Sequence, residues 1–234
     1  MAAALAFGSA AAQPVRLVLV GDSTMATRTG YGDALCARLV AGSECWNLAR
    51  GGRSSYSFRA EGLWDAMRQR LRDAPAMPTF VLIQFGHNDQ PGKPGRSTEL
   101  PDFSVNIARY VNEAREAGTT PVLFTPLTRR SFRDTQLLDD LRPWAEATTR
   151  VAQAAQAPLF DLHAASAALV QGLGSEEADT LAEQPPGQPR FDRTHLGAKG
   201  ACIFANLVAR GLAAQVPALA PHFQNAAACP RAWE

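Results

Sequence analysis

The chain has 234 residues, of which 46% are hydrophobic and 19% charged, with a formal net charge of +1. A chain of this length buries roughly 70–75% of its unfolded surface, so it needs no metal or disulfide staple to fold, and its ordinary hydrophobic content excludes a disordered or fibrous protein. The balance of 23 Lys and Arg against 22 Asp and Glu leaves no electrostatic footprint for nucleic acid, and no apolar run reaches the roughly 18 residues of a membrane span.

Met1 to Gln13 (MAAALAFGSAAAQ) is small and apolar, with an A-x-A-like cleavage site near Ala10 to Ala12. It reads as the remnant of a secretory signal, which makes the protein secreted or periplasmic. An Ala-rich leader on a cytoplasmic protein is the alternative. The remainder, 14–234, reads as one domain. Val15–Val20 (VRLVLV) is a first strand stopped by Gly21, and Glu44–Ala49 a weaker second. Thr79–Phe85 (TFVLIQF) is a nearly continuous apolar run, as expected of a central parallel strand buried on both faces. Pro121–Thr125 and Pro158–Leu162 complete five strands.

Helix-period segments near 31–40, 57–73, 102–117, 137–156, 163–171 and 197–213 alternate with these strands. That alternation predicts an α/β fold with a parallel sheet and helices on both faces. Trp46, Trp64 and Trp144 fall at apolar-periodic positions and belong to the predicted core. The Pro- and Gly-rich stretch from Gly172 to Arg190 reads as a long surface loop.

The four cysteines (Cys36, Cys45, Cys202, Cys229) form no C-x-x-C pair. Nearness in sequence pairs Cys36 with Cys45 and Cys202 with Cys229 if they are oxidised; four buried thiols are the alternative. The four histidines lack metal-ligand spacing, so no metal and no cofactor is expected.

Polar residues gather where the strands end. Gly21-Asp22-Ser23-Thr24 follows the first strand, Arg50-Gly51-Gly52-Arg53-Ser54 the second, and Gly86-His87-Asn88-Asp89 the third. Asp192-Arg193-Thr194-His195 precedes the last helix. Ligands of open α/β sheets bind outside the carboxyl ends of the strands, so these four blocks converge on one edge. Ser23 needs a base to attack a carbonyl at neutral pH. His195 can supply it, and Asp192, three residues earlier, can hold the imidazole in the right tautomer. A tetrahedral intermediate also needs donors for its oxyanion. The N–H groups of Ser23 and Gly52 and the side-chain amide of Asn88 are the candidates. Each residue alone has an ordinary reading as a helix cap, a turn or a surface charge; His87 is as suited to packing the loop as to touching substrate. The G-x-S-x-G elbow of α/β-hydrolases is absent.

The four blocks together resemble the SGNH, or GDSL-type, hydrolases. G-D-S-T-M with G-G-R-S and G-H-N-D is most similar to the rhamnogalacturonan acetylesterase branch, and the likeness runs from about residue 15 to 212. It implies a three-layer α/β/α sandwich of flavodoxin-like type, with five parallel strands in the order 2-1-3-4-5. It further implies Ser23 as nucleophile, Gly52 and Asn88 as oxyanion donors, Asp192 as orienting acid and His195 as base. The expected activity is removal of O-acetyl groups from a polysaccharide, acetylated rhamnogalacturonan first among them. A lipase or thioesterase, an acetylxylan esterase, and a catalytically dead carbohydrate-binding protein of the same fold are the alternatives. Arg53, His87 and Arg193 are candidate substrate contacts. Arg50, Arg59, Arg129, Arg130, Arg133 and Arg190 also sit on segments expected at this edge, where guanidinium forks can take uronate carboxylates. Leu127–Asp140 and 172–190 depart from the family pattern.

Overall fold

The computed structural model describes residues 13–189 and 191–231, so all of the signal-like segment but Gln13 lies outside the described residues. Strands β1 (Arg16–Gly21), β2 (Glu44–Asn47), β3 (Thr79–Gln84) and β4 (Thr120–Phe124) are followed by a small antiparallel hairpin, β5 (Phe132–Arg133) and β6 (Gln136–Leu137). The last strand, β7 (Leu159–Phe160), completes a five-stranded parallel sheet in the order β2-β1-β3-β4-β7. This is the order expected from the sequence.

Side chains alternate across a strand, and here both faces are apolar. Leu17 and Leu19 of β1 join one core with Phe80, Leu82, Val122 and Phe124. Val18 and Val20 join the other with Val81, Ile83 and Leu123. Helices α1 (Gly32–Cys36), α6 (Leu162–Asp179) and α7 (Ala198–Gln215) cover the first face through Leu35, Val170, Phe204, Val208 and Leu212. Helices α2 (Ser57–Ala60), α3 (Leu63–Asp73), α4 (Leu100–Glu116) and α5 (Arg142–Ala154) cover the second. In α4 the buried residues Phe103, Ile107, Tyr110, Val111 and Ala114 form one stripe at helical spacing. Trp64 and Trp144 are core residues, while Trp46 is half-buried under the guanidinium groups of Arg16 and Arg70.

Three boundaries differ from the sequence reading. The helix expected over 57–73 is two helices, because Gly62 takes a left-handed φ of 74° between them. The helix expected from 137 begins at Arg142, with Pro143 in its first turn, and residues 136–137 pair in the hairpin instead. The long loop expected from Gly172 is helical as far as Asp179: Gly174 kinks α6 without ending it, and the buried Ala178 and Leu181 anchor its far end to the core. Disulfides join Cys36 to Cys45 and Cys202 to Cys229. Among the described residues no helix is long and apolar enough to cross a membrane.

Candidate active site

The registers of β1, β3 and β4 bring Gly21, Gln84 and Phe124 level, so the segments after them open on the same edge. Past Gly21 the chain turns sharply: the Asp22 carbonyl accepts from the N–H groups of Met25 and Ala26. Asp22 Oδ1 accepts from the Thr24 N–H at 2.9 Å and the Thr24 hydroxyl at 2.8 Å. Thr24 is held in turn by Gln84, whose Nε2 donates to its Oγ1 at 2.6 Å. These bonds lift Ser23 to the edge of the turn. The Thr29 hydroxyl donates to the Ser23 carbonyl at 2.7 Å, and a Cβ at Gly30 would meet the Thr24 backbone at 2.2 Å, so the returning loop must carry glycine there.

Ser23 Oγ lies 2.7 Å from His195 Nε2, and His195 Nδ1 lies 2.6 Å from Asp192 Oδ2. Asp192 Oδ1 also accepts from the N–H groups of Thr194 at 2.7 Å and His195 at 2.8 Å. Burial raises the Asp192 pKa, but the hydrogen bonds from the His195 ring and from these backbone groups outweigh it and hold the carboxyl well below the usual carboxylate range. The ionised Asp192 accepts a hydrogen bond from Nδ1–H, which fixes the tautomer that leaves Nε2 free to accept from the serine hydroxyl. The hydrogen bond to Asp192 raises the His195 pKa above its ordinary value, against burial, and the charges of Asp192 and Glu183 push the same way. Glu183, Asp192 and His195 present ligand atoms within 4.8 Å of one another. Both imidazole nitrogens are already engaged, so a cation there would have to displace Ser23 or Asp192.

The other two blocks are tied to each other. Asn88 Nδ2 donates to the Arg53 carbonyl at 3.1 Å, and Asp89 accepts from the Ser55 N–H at 3.0 Å and the Ser55 hydroxyl at 2.6 Å. Burial pushes the Asp89 carboxyl up to about 7. Gly52 has a left-handed φ of 78°, and a Cβ at the neighbouring Gly51 would stand 3.8 Å from Ser23 Cβ, which places this loop against the serine. Neither the Ser23 nor the Gly52 N–H has an acceptor among the described residues.

The profile of the GDSL-like Lipase/Acylhydrolase family matches residues 19–203. The chain belongs to this family. It is accordingly a carboxylic ester hydrolase. Rhamnogalacturonan acetylesterase RhgT of Bacillus subtilis is 32% identical over 215 residues, covering 86% of this chain and 90% of that protein. A rhamnogalacturonan acetylesterase of Emericella nidulans is 29% identical over 225 residues, or 85% and 84% of the two chains. Among solved structures, the Bacillus subtilis protein YxiM superposes with a TM-score of 0.72 at 22% identity, over 86% of this chain and 57% of that longer one. Axe2, an acetylxylan esterase from Geobacillus stearothermophilus, gives 0.59 at 18% identity, over 84% and 93%. These two share the fold.

Several arginines of this edge are paired within the protein. Arg53 pairs with Glu61 at 2.9 Å, Arg59 with Glu113 at 2.7 Å, Arg193 with Asp179 at 3.1 Å, and Arg129 with Asp140. Four of the candidate sugar contacts, Arg53 and Arg193 included, are thus paired with carboxylates of the protein itself. His87 is 2% exposed and lies 3.4 Å from Asp22 beneath the turn, where burial lowers its pKa against the charge of Asp22. Arg133 is exposed, and Arg190 lies outside the described residues. Arg130 is buried completely. Its Nη2 donates to the carbonyls of Asp192 at 3.0 Å and His195 at 2.6 Å, and its own N–H donates to the Arg193 carbonyl at 2.9 Å. Burial lowers its pKa to about 10. This clamp under the acid–base loop, like the Thr29 bond to Ser23, has no sequence signature, because its acceptors are backbone atoms any sequence would supply.

Proposed function

We propose that the protein is a carbohydrate O-acetylesterase working through an acyl-enzyme on Ser23, with acetylated rhamnogalacturonan as its substrate. In this reading His195 Nε2 takes the Ser23 proton as Oγ attacks the acetyl carbonyl. Asp192 keeps the imidazole oriented and stabilises the imidazolium that forms. The N–H groups of Ser23 and Gly52 and the Asn88 amide receive the oxyanion. Collapse of the tetrahedral intermediate breaks the ester bond, and His195 returns the proton to the departing sugar hydroxyl. Water, deprotonated by the same imidazole, then attacks the acetyl-serine. Acetate leaves and Ser23 recovers its proton.

The observation that carries the proposal is the unbroken hydrogen-bonded line from Ser23 Oγ through His195 to Asp192, at 2.7 and 2.6 Å. The polymer assignment leans on relatives named as rhamnogalacturonan acetylesterases. Export is part of the same reading: two disulfides suit an oxidising compartment, and a polymeric substrate suits an extracytoplasmic enzyme. The test is acetate release from acetylated pectic, xylan and mannan substrates, beside short- and long-chain nitrophenyl esters. Fastest release from the rhamnogalacturonan fraction supports the substrate. Preference for acetylxylan would transfer the assignment to a xylan esterase, and preference for long acyl chains to a lipase. Ser23→Ala should abolish hydrolysis and labelling by a serine-directed phosphonate while the circular dichroism spectrum stays unchanged. Labelling that persists in Ser23→Ala would move the nucleophile elsewhere.

A further inference from the structure

Beside Ser23 the surface opens into a groove of about 500 Å³, between the turn after β1, the loop after β2 and helix α3. Gly51 and Thr29 belong both to this groove and to the surroundings of the serine. Its floor is apolar, built from Ala49, Leu63 and Met67, whereas its rim carries Arg28, Arg50 and Arg70. The lining contains no aspartate or glutamate. That sets it apart from the rest of this edge, where Arg53, Arg59, Arg129 and Arg193 each meet a carboxylate of the protein itself. Arg70 is held over the Trp46 ring at 4.0 Å, while Arg28 and Arg50 are exposed and meet no carboxylate among the described residues.

Arg28 is also one of the few non-glycine residues with a left-handed backbone, at φ 70°. Such a conformation persists only where its surroundings over-determine it, and it concentrates at ligand sites. Here the surroundings are those of the catalytic residues. Next in the chain, Thr29 donates its hydroxyl to the Ser23 carbonyl at 2.7 Å, and its own carbonyl accepts from the Leu196 N–H at 3.0 Å, one residue past His195. The backbone that carries Arg28 is thus fixed to both halves of the site.

We propose that this groove is a subsite for the carboxylate of a uronic acid residue of the acetylated polymer, read by Arg28 and Arg50. A guanidinium matches a carboxylate with two parallel N–H bonds, and an acid-free rim leaves both groups available for it. The apolar floor offers a sugar ring a face to lie on, and Gly51 lets the chain pass from the groove to Ser23 without a side chain between them. The proposal rests on the acetylesterase reading and adds to it where the polymer lies and which charge is recognised.

The test compares an acetylated rhamnogalacturonan oligosaccharide with the form whose galacturonate carboxylates are methyl-esterified, which keeps the shape and loses the charge. For the wild type, kcat/KM should favour the free acid. In the double variant Arg28→Gln, Arg50→Gln that preference should shrink by roughly tenfold to a hundredfold, chiefly through KM. A preference that survives the double substitution, or a wild type that favours the methyl ester, would overturn the subsite. Binding separates this from failure of the enzymatic reading. By calorimetry, Ser23→Ala should bind the deacetylated rhamnogalacturonan oligosaccharide, and adding the two arginine substitutions should remove that binding. If the wild type hydrolyses no acetyl ester yet the arginine-dependent binding is present, the esterase reading falls and the subsite stands. If acetate is released but no arginine-dependent binding is found, the esterase stands and the subsite falls.

Discussion

In the proposed mechanism, His195 and Asp192 set the acid limit of the reaction. The imidazole must be neutral to accept the Ser23 proton, and its hydrogen bond to Asp192 raises its pKa above the ordinary 6.5. Activity should therefore fall as pH drops through a midpoint above 6.5, which a kcat/KM profile on nitrophenyl acetate will show. Asp192→Asn removes both the charge and the acceptor that fixes the tautomer. It should lower kcat by about 10⁴-fold and move the acid limb of the residual activity to lower pH. An unmoved limb would mean that another group titrates. Asn88 tests the oxyanion assignment in the same way. Its amide acts on charge that develops only in the transition state, so Asn88→Ala should lower kcat by about 10²–10³ with a smaller change in KM. A risen KM at unchanged kcat would make Asn88 a binding residue alone.

At the level of elements, the acid–base loop depends on a buried cation beneath it. Arg130 donates to the carbonyls of Asp192 and His195, so removing it leaves two inward-facing carbonyls unpartnered. Arg130→Met should cost about 3–6 kcal/mol of stability, at about 1.5–3 kcal/mol for each of the two charge-assisted bonds. It should also lower kcat more than KM as His195 loses its position. Thermal unfolding and steady-state kinetics on one preparation measure both. The difference between Arg130 and its neighbours shows how far sequence carries. The strands were legible because a run such as Thr79–Gln84 is apolar on both faces, and the four polar blocks because each lies at a strand end or before the last helix. The partner of a given arginine was not. Arg53, Arg129 and Arg130 look alike in sequence, yet the first two end on carboxylates and the third on backbone. Those outcomes depend on packing between segments far apart in the chain. Helix ends were lost similarly: Gly62 breaks its helix, Gly174 only kinks one, and burial of Ala178 decides the second case.

For the whole molecule, the two disulfides close loops of different size, with sequence separations of 9 for Cys36–Cys45 and 27 for Cys202–Cys229. Chain-entropy arithmetic gives about 2.6 and about 3.5 kcal/mol of stabilisation, respectively. Cys202→Ser, Cys229→Ser should therefore lower Tm more than Cys36→Ser, Cys45→Ser, a ranking that differential scanning calorimetry on the two double variants will check. Neither bridge touches Ser23, so both variants should keep their kcat below the melting transition. The sequence separation of 172 between Ser23 and His195 has another consequence. A ribosome delivers the proposed nucleophile well before the proposed base, so a growing chain carries Ser23 before the imidazole that would activate it exists. No fragment cut between them holds both groups, and in the proposed mechanism a refolding chain cannot cleave an ester until these two distant segments have met. The first turnover after dilution from denaturant thus marks completed long-range closure, and its time course can be set against the earlier recovery of secondary structure.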